Sequence, residues 1–165
     1  MRWLTSTIVT ATAAGAMGIS SACQAQTVYT NASCEFNVTF PHSAITKEDE
    51  SSSRTDFGAV PFLSAKCFPG PKACRFRQSL EQQLLSGLIA QFELKDYRLT
   101  NESSPSKGFL VSGVTTKENS LTRIEARVLF GDNSILVVAI VEPLSADKAV
   151  STAFLQSAQR RPNAP

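Results

Sequence analysis

Residues 121–142 constrain the fold more strongly than any other stretch of this sequence. Apolar and charged residues alternate over 121–130, which predicts a strand with one buried face. The next four residues, Gly131–Ser134, are all favoured in turns. An uninterrupted apolar run follows over 135–141, and such a run is typical of a strand that is covered on both faces. We therefore predict a β-hairpin whose second strand lies at the centre of a sheet.

The remaining patterns add further strands and two helices. Leucines at three-to-four spacing predict a helix over 78–95, in which Gly87 would allow a close approach to the sheet. A second helix is predicted over 147–161, with Arg160 and Arg161 placed at the negative end of its dipole. Alternating residues predict strands over 34–40, 57–68, 96–100 and 109–116.

These elements indicate one α+β domain over residues 34–161. We expect a mainly antiparallel sheet of about six strands with two packed helices, which suits a chain of 165 residues. Polar residues 26–33 predict a tether, and residues 42–56, rich in serine and charge, predict a mobile loop. The last four residues, 162–165, are expected to be a disordered tail.

The first 25 residues have the pattern of a secretory signal peptide. Arg2 is followed by an uncharged apolar stretch and then by small residues. Cleavage after Ala25 would release a soluble protein into the periplasm or the extracellular space. Cleavage after Ala22 would leave Cys23 first, as in a bacterial lipoprotein, and a lipid on Cys23 would then anchor the domain to a membrane. Both sites remain open, and both predict export.

The remaining cysteines, Cys34, Cys67 and Cys74, are candidates for a disulfide, because exported proteins meet an oxidising environment. Two pairings are open. Cys67 and Cys74 could close a short loop, or Cys34 and Cys67 could lie opposite one another on an antiparallel strand pair. Zinc is not expected, because the chain has no C-x-x-C pair and His42 is its single histidine. We expect no metal and no cofactor.

The net charge of +2 gives no reason to expect a nucleic-acid partner. A local basic patch nevertheless surrounds the Pro69–Pro71 loop, with no acidic residue until Glu81. It would suit an anionic surface, such as phospholipid headgroups or an acidic polysaccharide, or it would simply keep the loop soluble. A second polar feature is the outer face of the first hairpin strand. The basic patch consists of Lys66, Lys72, Arg75 and Arg77. The strand face consists of Arg123, Glu125 and Arg127.

Catalysis is not expected from the motifs of this chain. It contains no nucleophile elbow, no zinc-protease helix and no phosphate-binding glycine loop. A serine or cysteine nucleophile would have to use His42, which follows Pro41 in a predicted loop. We therefore interpret the protein as non-catalytic, with a small hydrolase as a less favoured alternative.

Three segments resemble the PsbP-like superfamily, which is named after an extrinsic photosystem II protein. They are Phe36–Pro41, the strand Ser134–Val141, and Ala153–Ser157 in the last helix. The resemblance implies an antiparallel sheet with helices packed on it, and a mainly non-enzymatic role. We expect an exported binding or accessory protein of the cell envelope whose partner would be another envelope protein or an anionic surface. A subunit of an envelope or secretion assembly is the alternative.

Overall fold

A computed structural model describes residues 26–41, 45–46, 50–53, 62–69, 77–104, 106–117 and 120–162. Ten strands and two helices lie within these residues. In chain order they are β1 (Thr27–Thr30), β2 (Phe36–Phe40), β3 (Ile45–Thr46), β4 (Glu50–Ser53), β5 (Phe62–Pro69), α1 (Arg77–Gln91), β6 (Asp96–Glu102), β7 (Lys107–Lys117), β8 (Ser120–Phe130), β9 (Ser134–Pro143), α2 (Lys148–Ser157) and β10 (Gln159–Arg160).

The strands form two antiparallel sheets, which confirms the predicted single α+β domain. The larger sheet has seven strands in the order β3-β4-β5-β9-β8-β7-β6, and the smaller has three in the order β1-β2-β10. The predicted hairpin is β8–β9, with Phe130 opposite Ile135. β9 is the middle strand of the larger sheet, as its unbroken apolar run predicts.

The side chains of β9 alternate between two faces of the sheet, and both faces are covered. Leu136, Val138 and Ile140 point to the face that carries α2 and the three-stranded sheet, which we call the α2 face. Ile135 and Ala139 point to the opposite face, which carries α1 and is called the α1 face. The hairpin thus supplies apolar surface to two separate clusters.

The α2 face is closely packed by aromatic and aliphatic side chains from both elements. The rings of Phe40 and Phe154 lie 4.8 Å apart between their centroids. Asp147 caps α2 by accepting a hydrogen bond from the backbone N–H of Ala149, at 2.9 Å. The buried members of this cluster include Tyr29, Phe36, Val38, Leu63, Ala65, Leu129 and Leu155.

The α1 face is more open. Among the stripe residues that predicted the helix, Leu88 is buried, whereas its neighbours on the same stripe keep part of their surface in water. α1 ends at Gln91 rather than at residue 95, because Glu93 takes a left-handed conformation with φ of 52° and the backbone N–H of Leu94 bonds the carbonyl of Ile89. The partly buried residues are Leu80, Leu84, Leu85, Ile89 and Phe92.

Several expectations about the connecting segments are wrong. Residues 26–33 are not only a tether, because Thr27–Thr30 pairs with β2 and Tyr29 enters the core. The segment 42–56 is not loop throughout, since its described parts form β3 and β4 at the edge of the larger sheet. The short strands β1, β3, β4 and β10 are not predicted from the sequence, because stretches of two to four residues carry too little alternation.

The second helix is also shorter than predicted. It ends at Ser157, because Ala158 adopts an extended conformation and the chain continues into β10 beside β2. Arg160 and Arg161 therefore do not lie at its end. The residues 1–25 and 163–165, which include the predicted signal peptide, are outside the described residues, as is His42. Neither helix in the described part of the chain is long and apolar enough to cross a membrane.

Candidate functional site

A disulfide joins Cys34 to Cys67 and ties the two sheets together. Cys34 lies two residues before β2 of the smaller sheet, whereas Cys67 lies in β5 of the larger one. Their Cα atoms are 6.0 Å apart, and both residues are buried. The two segments are therefore not an antiparallel pair, and the bridge crosses the core between layers. Because Cys67 is used here, it is not paired with Cys74, which lies outside the described residues.

A buried carboxylate, Glu35, holds the turn of the central hairpin. Its Oε2 atom accepts hydrogen bonds from the backbone N–H of Asn133 at 2.7 Å and of Ser134 at 2.8 Å, and from the Ser134 hydroxyl at 3.1 Å. Arg160 donates to the other oxygen at 2.8 Å and also pairs with Asp132. Burial raises the pKa of Glu35, but the hydrogen bonds outweigh it, so that the pKa is lowered overall.

A buried ion pair lies under α2. Arg123 pairs with Glu142 across β8 and β9, and the Ser151 hydroxyl of α2 donates to the same carboxylate. Arg123 is 5% exposed and Glu142 is 1% exposed. Both charges are thus withdrawn from solvent, and the pair fixes the start of α2 on the sheet.

Arg127 completes the attachment of α2 at its other end. Its guanidinium donates to the Leu155 carbonyl at 2.8 Å and to the Ala158 carbonyl at 3.2 Å, and it pairs with Glu102 at 2.9 Å. Cations stabilise the C-terminal end of a helix dipole. Arg127 from β8 supplies the positive charge at the C-terminal end of α2 that the sequence analysis assigned to Arg160 and Arg161.

The proposed polar outer face of β8 is therefore wrong as a free binding surface. Arg123, Glu125 and Arg127 do share one face, but that face is the one covered by α2. The sequence pattern shows which residues share a face, whereas it does not show that a helix and a second sheet pack on the charged side. Arg123 and Arg127 are structural residues in this fold.

The predicted basic patch is described only in part. Lys72 and Arg75 lie outside the described residues, and Arg77 is the first residue of α1. Lys66 lies on β5, with its ammonium 5.5 Å from the centroid of the Phe68 ring. It points toward the α1 face, because the alternate residues Ala65 and Cys67 point to the α2 face. Cys23, the lipidation candidate, is also outside the described residues.

Lys66 and Phe68 form one wall of a groove between β5 and α1, which is the candidate functional site. The groove has a volume of about 370 Å³, and we call it the α1–β5 groove. β9 supplies its floor, and one flank of α1 supplies the second wall. Its described lining consists of Ser64, Lys66, Phe68, Gln83, Leu84, Gly87, Leu88, Gln91, Phe92, Val137 and Ala139.

Gly87 lines the groove, and open space lies beside it. A Cβ atom built on Gly87 would meet nothing within 4 Å. The expectation that this glycine allows α1 to lie close to the sheet is therefore wrong, since space remains beside it. Gln83, Gly87 and Gln91 follow one another at intervals of four residues, so they form one column on the flank of the helix.

The sequence contained a weak signal for this site. The Gln83, Gly87 and Gln91 column runs beside the leucine stripe, where one polar flank of an amphipathic helix is usually exposed to solvent. Nothing in the sequence places β5 opposite that column. Only the pairing of β5 with β9 does so, and it aligns Lys66 with Val137.

Comparisons of sequence identify no relative: no family model matches the chain, and no curated protein matches it. Comparison of structures finds proteins of similar fold. A solution structure of cyanobacterial PsbP from Synechocystis sp. PCC 6803 is similar with a TM-score of 0.58 at 9% identity, over 89% of this chain and 96% of that one.

A crystal structure from Bacteroides thetaiotaomicron VPI-5482 is similar with a TM-score of 0.56 at 8% identity, over 84% of this chain. This chain spans about half of that protein, 49% of its length. Identities this low carry no information about residue roles, and they show the fold alone. The resemblance predicted from three short segments is confirmed at that level: the chain has a PsbP-like fold.

Proposed function

We propose that this protein is an exported, non-catalytic binding or accessory protein of the cell envelope, and that its binding site is the α1–β5 groove. One observation carries the proposal. Cys67 lies between Lys66 and Phe68 on β5, so the disulfide anchors from one face the strand whose other face forms the groove wall. The bridge therefore fixes the position of one wall of the groove.

The bridge supports export because disulfides persist in oxidising compartments and are rare in the cytosol. In a reducing environment β5 would lose its covalent tie to the smaller sheet, and the wall of the groove would lose its support. The signal-peptide pattern of residues 1–25 and the PsbP-like fold support the same location. Both routes, a soluble periplasmic protein and a lipoprotein anchored through Cys23, are compatible with the groove.

The pairing of the buried charges supports a non-catalytic role. Glu35 is bound to the turn of the hairpin, and Glu142 is bound to Arg123 and Ser151. These carboxylates are enclosed in the α2 face, away from the groove. Among the described residues that line the groove, none is an acid, a histidine or a cysteine. This composition suits retention of a ligand better than proton transfer.

Export is tested by the intact mass of the protein from a bacterial host with a periplasm, expressed with all 165 residues. We expect a processed chain in the envelope or periplasmic fraction. Its first residue is Gln26, or Cys23 with an added acyl mass, and its mass is lower than the reduced form by two hydrogens per disulfide. An unprocessed, fully reduced chain in the cytoplasm would contradict the proposal.

The non-catalytic role is tested on the same preparation with a panel of ester, amide and phosphoester substrates. We expect no turnover above that of a preparation of an unrelated exported protein. Turnover that disappears in His42→Ala would contradict the proposal and favour the hydrolase alternative. A fixed stoichiometry with one envelope protein after membrane extraction would favour the assembly-subunit alternative.

The groove as binding site is tested by comparing Gly87→Phe with Gly87→Ala. Both remove the glycine from the helix, but only the phenylalanine fills the groove. The immobilised oxidised protein is incubated with an envelope extract, and bound lipids and proteins are identified by mass spectrometry. We expect a component that Gly87→Ala retains and Gly87→Phe loses. Identical capture by the two variants would contradict this use of the groove.

A further inference from the structure

We propose that the outer edge of β6 is an interaction surface, and that it pairs antiparallel with β6 of a second copy of this chain. The pairing would be two-fold symmetric, with Tyr97 on the axis. It is independent of the proposed binding function, because β9, β8 and β7 separate β6 from the β5 wall of the groove. The length of β6, its exposure and its charges each support this pairing.

β6 is the longest edge strand among the described residues. It has seven residues, whereas the other edge strands, β1, β3 and β10, have four, two and two. Residues 96–101 are exposed, and Glu102 is half-buried. β6 pairs with β7 on one side, and the backbone groups of its other side are available to a further strand.

Several features that usually keep an edge strand from pairing are missing in β6. Its sequence contains neither proline nor lysine. Its register with β7 runs without a bulge along the whole strand, so no local twist turns the edge away. The edge is therefore regular and accessible to a strand from outside the chain.

One face of β6 carries exposed apolar side chains. Tyr97 and Leu99 are 45% and 42% exposed. They lie on the α1 face, because Leu99 is opposite Val111 of the buried cluster on that face. With the axis at Tyr97, the two tyrosines of the dimer would lie directly opposite each other, and Leu99 of each copy would lie diagonal to the tyrosine of the other. Such cross-strand contacts stabilise paired strands.

The other face of β6 carries two opposite charges. Asp96 and Arg98 alternate with the apolar residues, and both are exposed. Neither forms an ion pair or a side-chain hydrogen bond with another described residue. With the axis at Tyr97, Asp96 of each copy lies opposite Arg98 of the other, so symmetry creates two ion pairs. The strand is thus complementary in charge to a second copy of itself.

Other registers lose this complementarity. Moving the axis one residue toward Glu102 would place the two Arg98 side chains opposite each other, and moving it two residues would place Asp96 opposite Glu102. Both arrangements bring like charges together. Moving it three residues would place Arg98 opposite Glu102, whose carboxylate is already paired with an arginine of β8. Of these four registers, the axis at Tyr97 alone joins charges that have no partner within the described residues.

Self-association is measured by sedimentation equilibrium of the processed, oxidised protein in a mild detergent, which keeps an acylated form dispersed. A contact between two strands buries less than the roughly 800 Å² per partner of a stable complex, so the dimer should be weak. We expect the average mass of the wild type to rise from that of the monomer toward that of the dimer between about 10 µM and about 1 mM.

The charge pairs are tested by Arg98→Asp and Asp96→Arg. Each substitution creates two like-charge pairs in the symmetric dimer, so each should weaken association at least about tenfold. An equimolar mixture of the two variants should associate within about threefold of the wild type, because the mixed dimer again has opposite charges at both positions. Lys148→Asp is the control on α2, since it changes the net charge as Arg98→Asp does, and it should leave association unchanged.

Cysteine cross-linking tests the register. Tyr97→Cys would place two cysteines opposite each other with Cα atoms about 4.5–5.5 Å apart, within reach of a disulfide. Leu99→Cys is the matched control, because its two copies would be about 14 Å apart. After mild oxidation, the covalent dimer should be at least about fivefold more abundant in Tyr97→Cys than in Leu99→Cys, with the wild type as background.

A wild type that stays monomeric at about 1 mM would overturn the pairing of two copies and would leave the edge to a strand of another protein. The same holds for a dimer that Arg98→Asp does not weaken, for a mixture of the charge variants that stays monomeric, and for preferential cross-linking of Leu99→Cys. None of these residues lines the groove, so any of these results would leave the proposed binding function untouched.

Discussion

On the α2 face of the larger sheet, Phe40, Phe154 and the disulfide are enclosed by a second sheet and a helix that is fixed at both ends. On the α1 face, the opposing helix buries Leu88 but leaves the rest of its stripe partly exposed beside a groove. Side chains of the same central strand, β9, lie on both faces. The difference in packing therefore arises from what covers the strand.

This contrast separates a face that is held by cross-links from the face that carries the proposed binding groove. The α2 face uses covalent and ionic ties, namely the Cys34–Cys67 bridge, the Glu35 network and the Arg123–Glu142 pair. These ties hold the sheet, including β5, in one arrangement. A helix that is packed loosely over a rigid sheet can accept a ligand without rearrangement of the core, because the space already exists.

The difference in packing between the two faces is tested by truncating one aromatic residue on each face. Phe154→Ala should lower the free energy of unfolding by about 3–5 kcal/mol, because it removes a buried ring and leaves a cavity. Phe92→Ala should lower it by less than about 2 kcal/mol, since Phe92 is partly exposed beside the groove. Urea unfolding of both variants measures the difference. Equal losses would show that the two faces are equally packed.

Removal of the disulfide tests whether the two faces are coupled. Cys34→Ala combined with Cys67→Ala should lower the free energy of unfolding by about 2–4 kcal/mol, because the unfolded chain gains freedom. It should also weaken capture from the envelope extract by the groove, since β5 loses its tie. Unchanged capture by the folded variant would mean that the groove wall does not depend on the bridge.

The Glu35 network predicts how the α2 face responds to acid. The pKa of Glu35 is lowered in the folded protein, so the unfolded state binds more protons and stability falls with decreasing pH. This contribution is fully present above the ordinary glutamate pKa of 4.5 and is lost as the pH falls through the lower, folded-state value. Unfolding free energies measured across this acidic range should show the decline.

Glu35→Gln should remove this part of the pH dependence, and Ser134→Ala should reduce it, because it deletes one of the hydrogen bonds to the carboxylate. An identical pH profile for the wild type and Glu35→Gln would contradict the assigned role. Neither substitution touches a groove residue, so capture from the envelope extract at neutral pH should be unaffected in folded protein.

The sequence predicted the elements whose patterns are long and regular. The apolar run of β9 and the alternation of β8 identified the central hairpin, and the leucine stripe identified α1. What it missed depends on contacts between distant segments. The burial of Arg123 follows from Glu142 and Ser151, and the groove follows from the placement of β5 beside Gly87. No local pattern encodes such contacts.

The smallest expected effect comes from the groove itself. Gly87→Ala should raise the free energy of unfolding by about 0.5–1 kcal/mol, because alanine favours the helix and its Cβ enters open space. It should do so without weakening capture from the envelope extract. Gly113→Ala is the contrasting control, since its Cβ would lie 2.9 Å from the Asp96 carbonyl oxygen, and it should destabilise the protein. Thermal and urea unfolding of the two variants give the sign. A destabilised Gly87→Ala would mean that α1 lies close to the sheet at this point, and then neither the groove nor the looser packing of the α1 face would be correct.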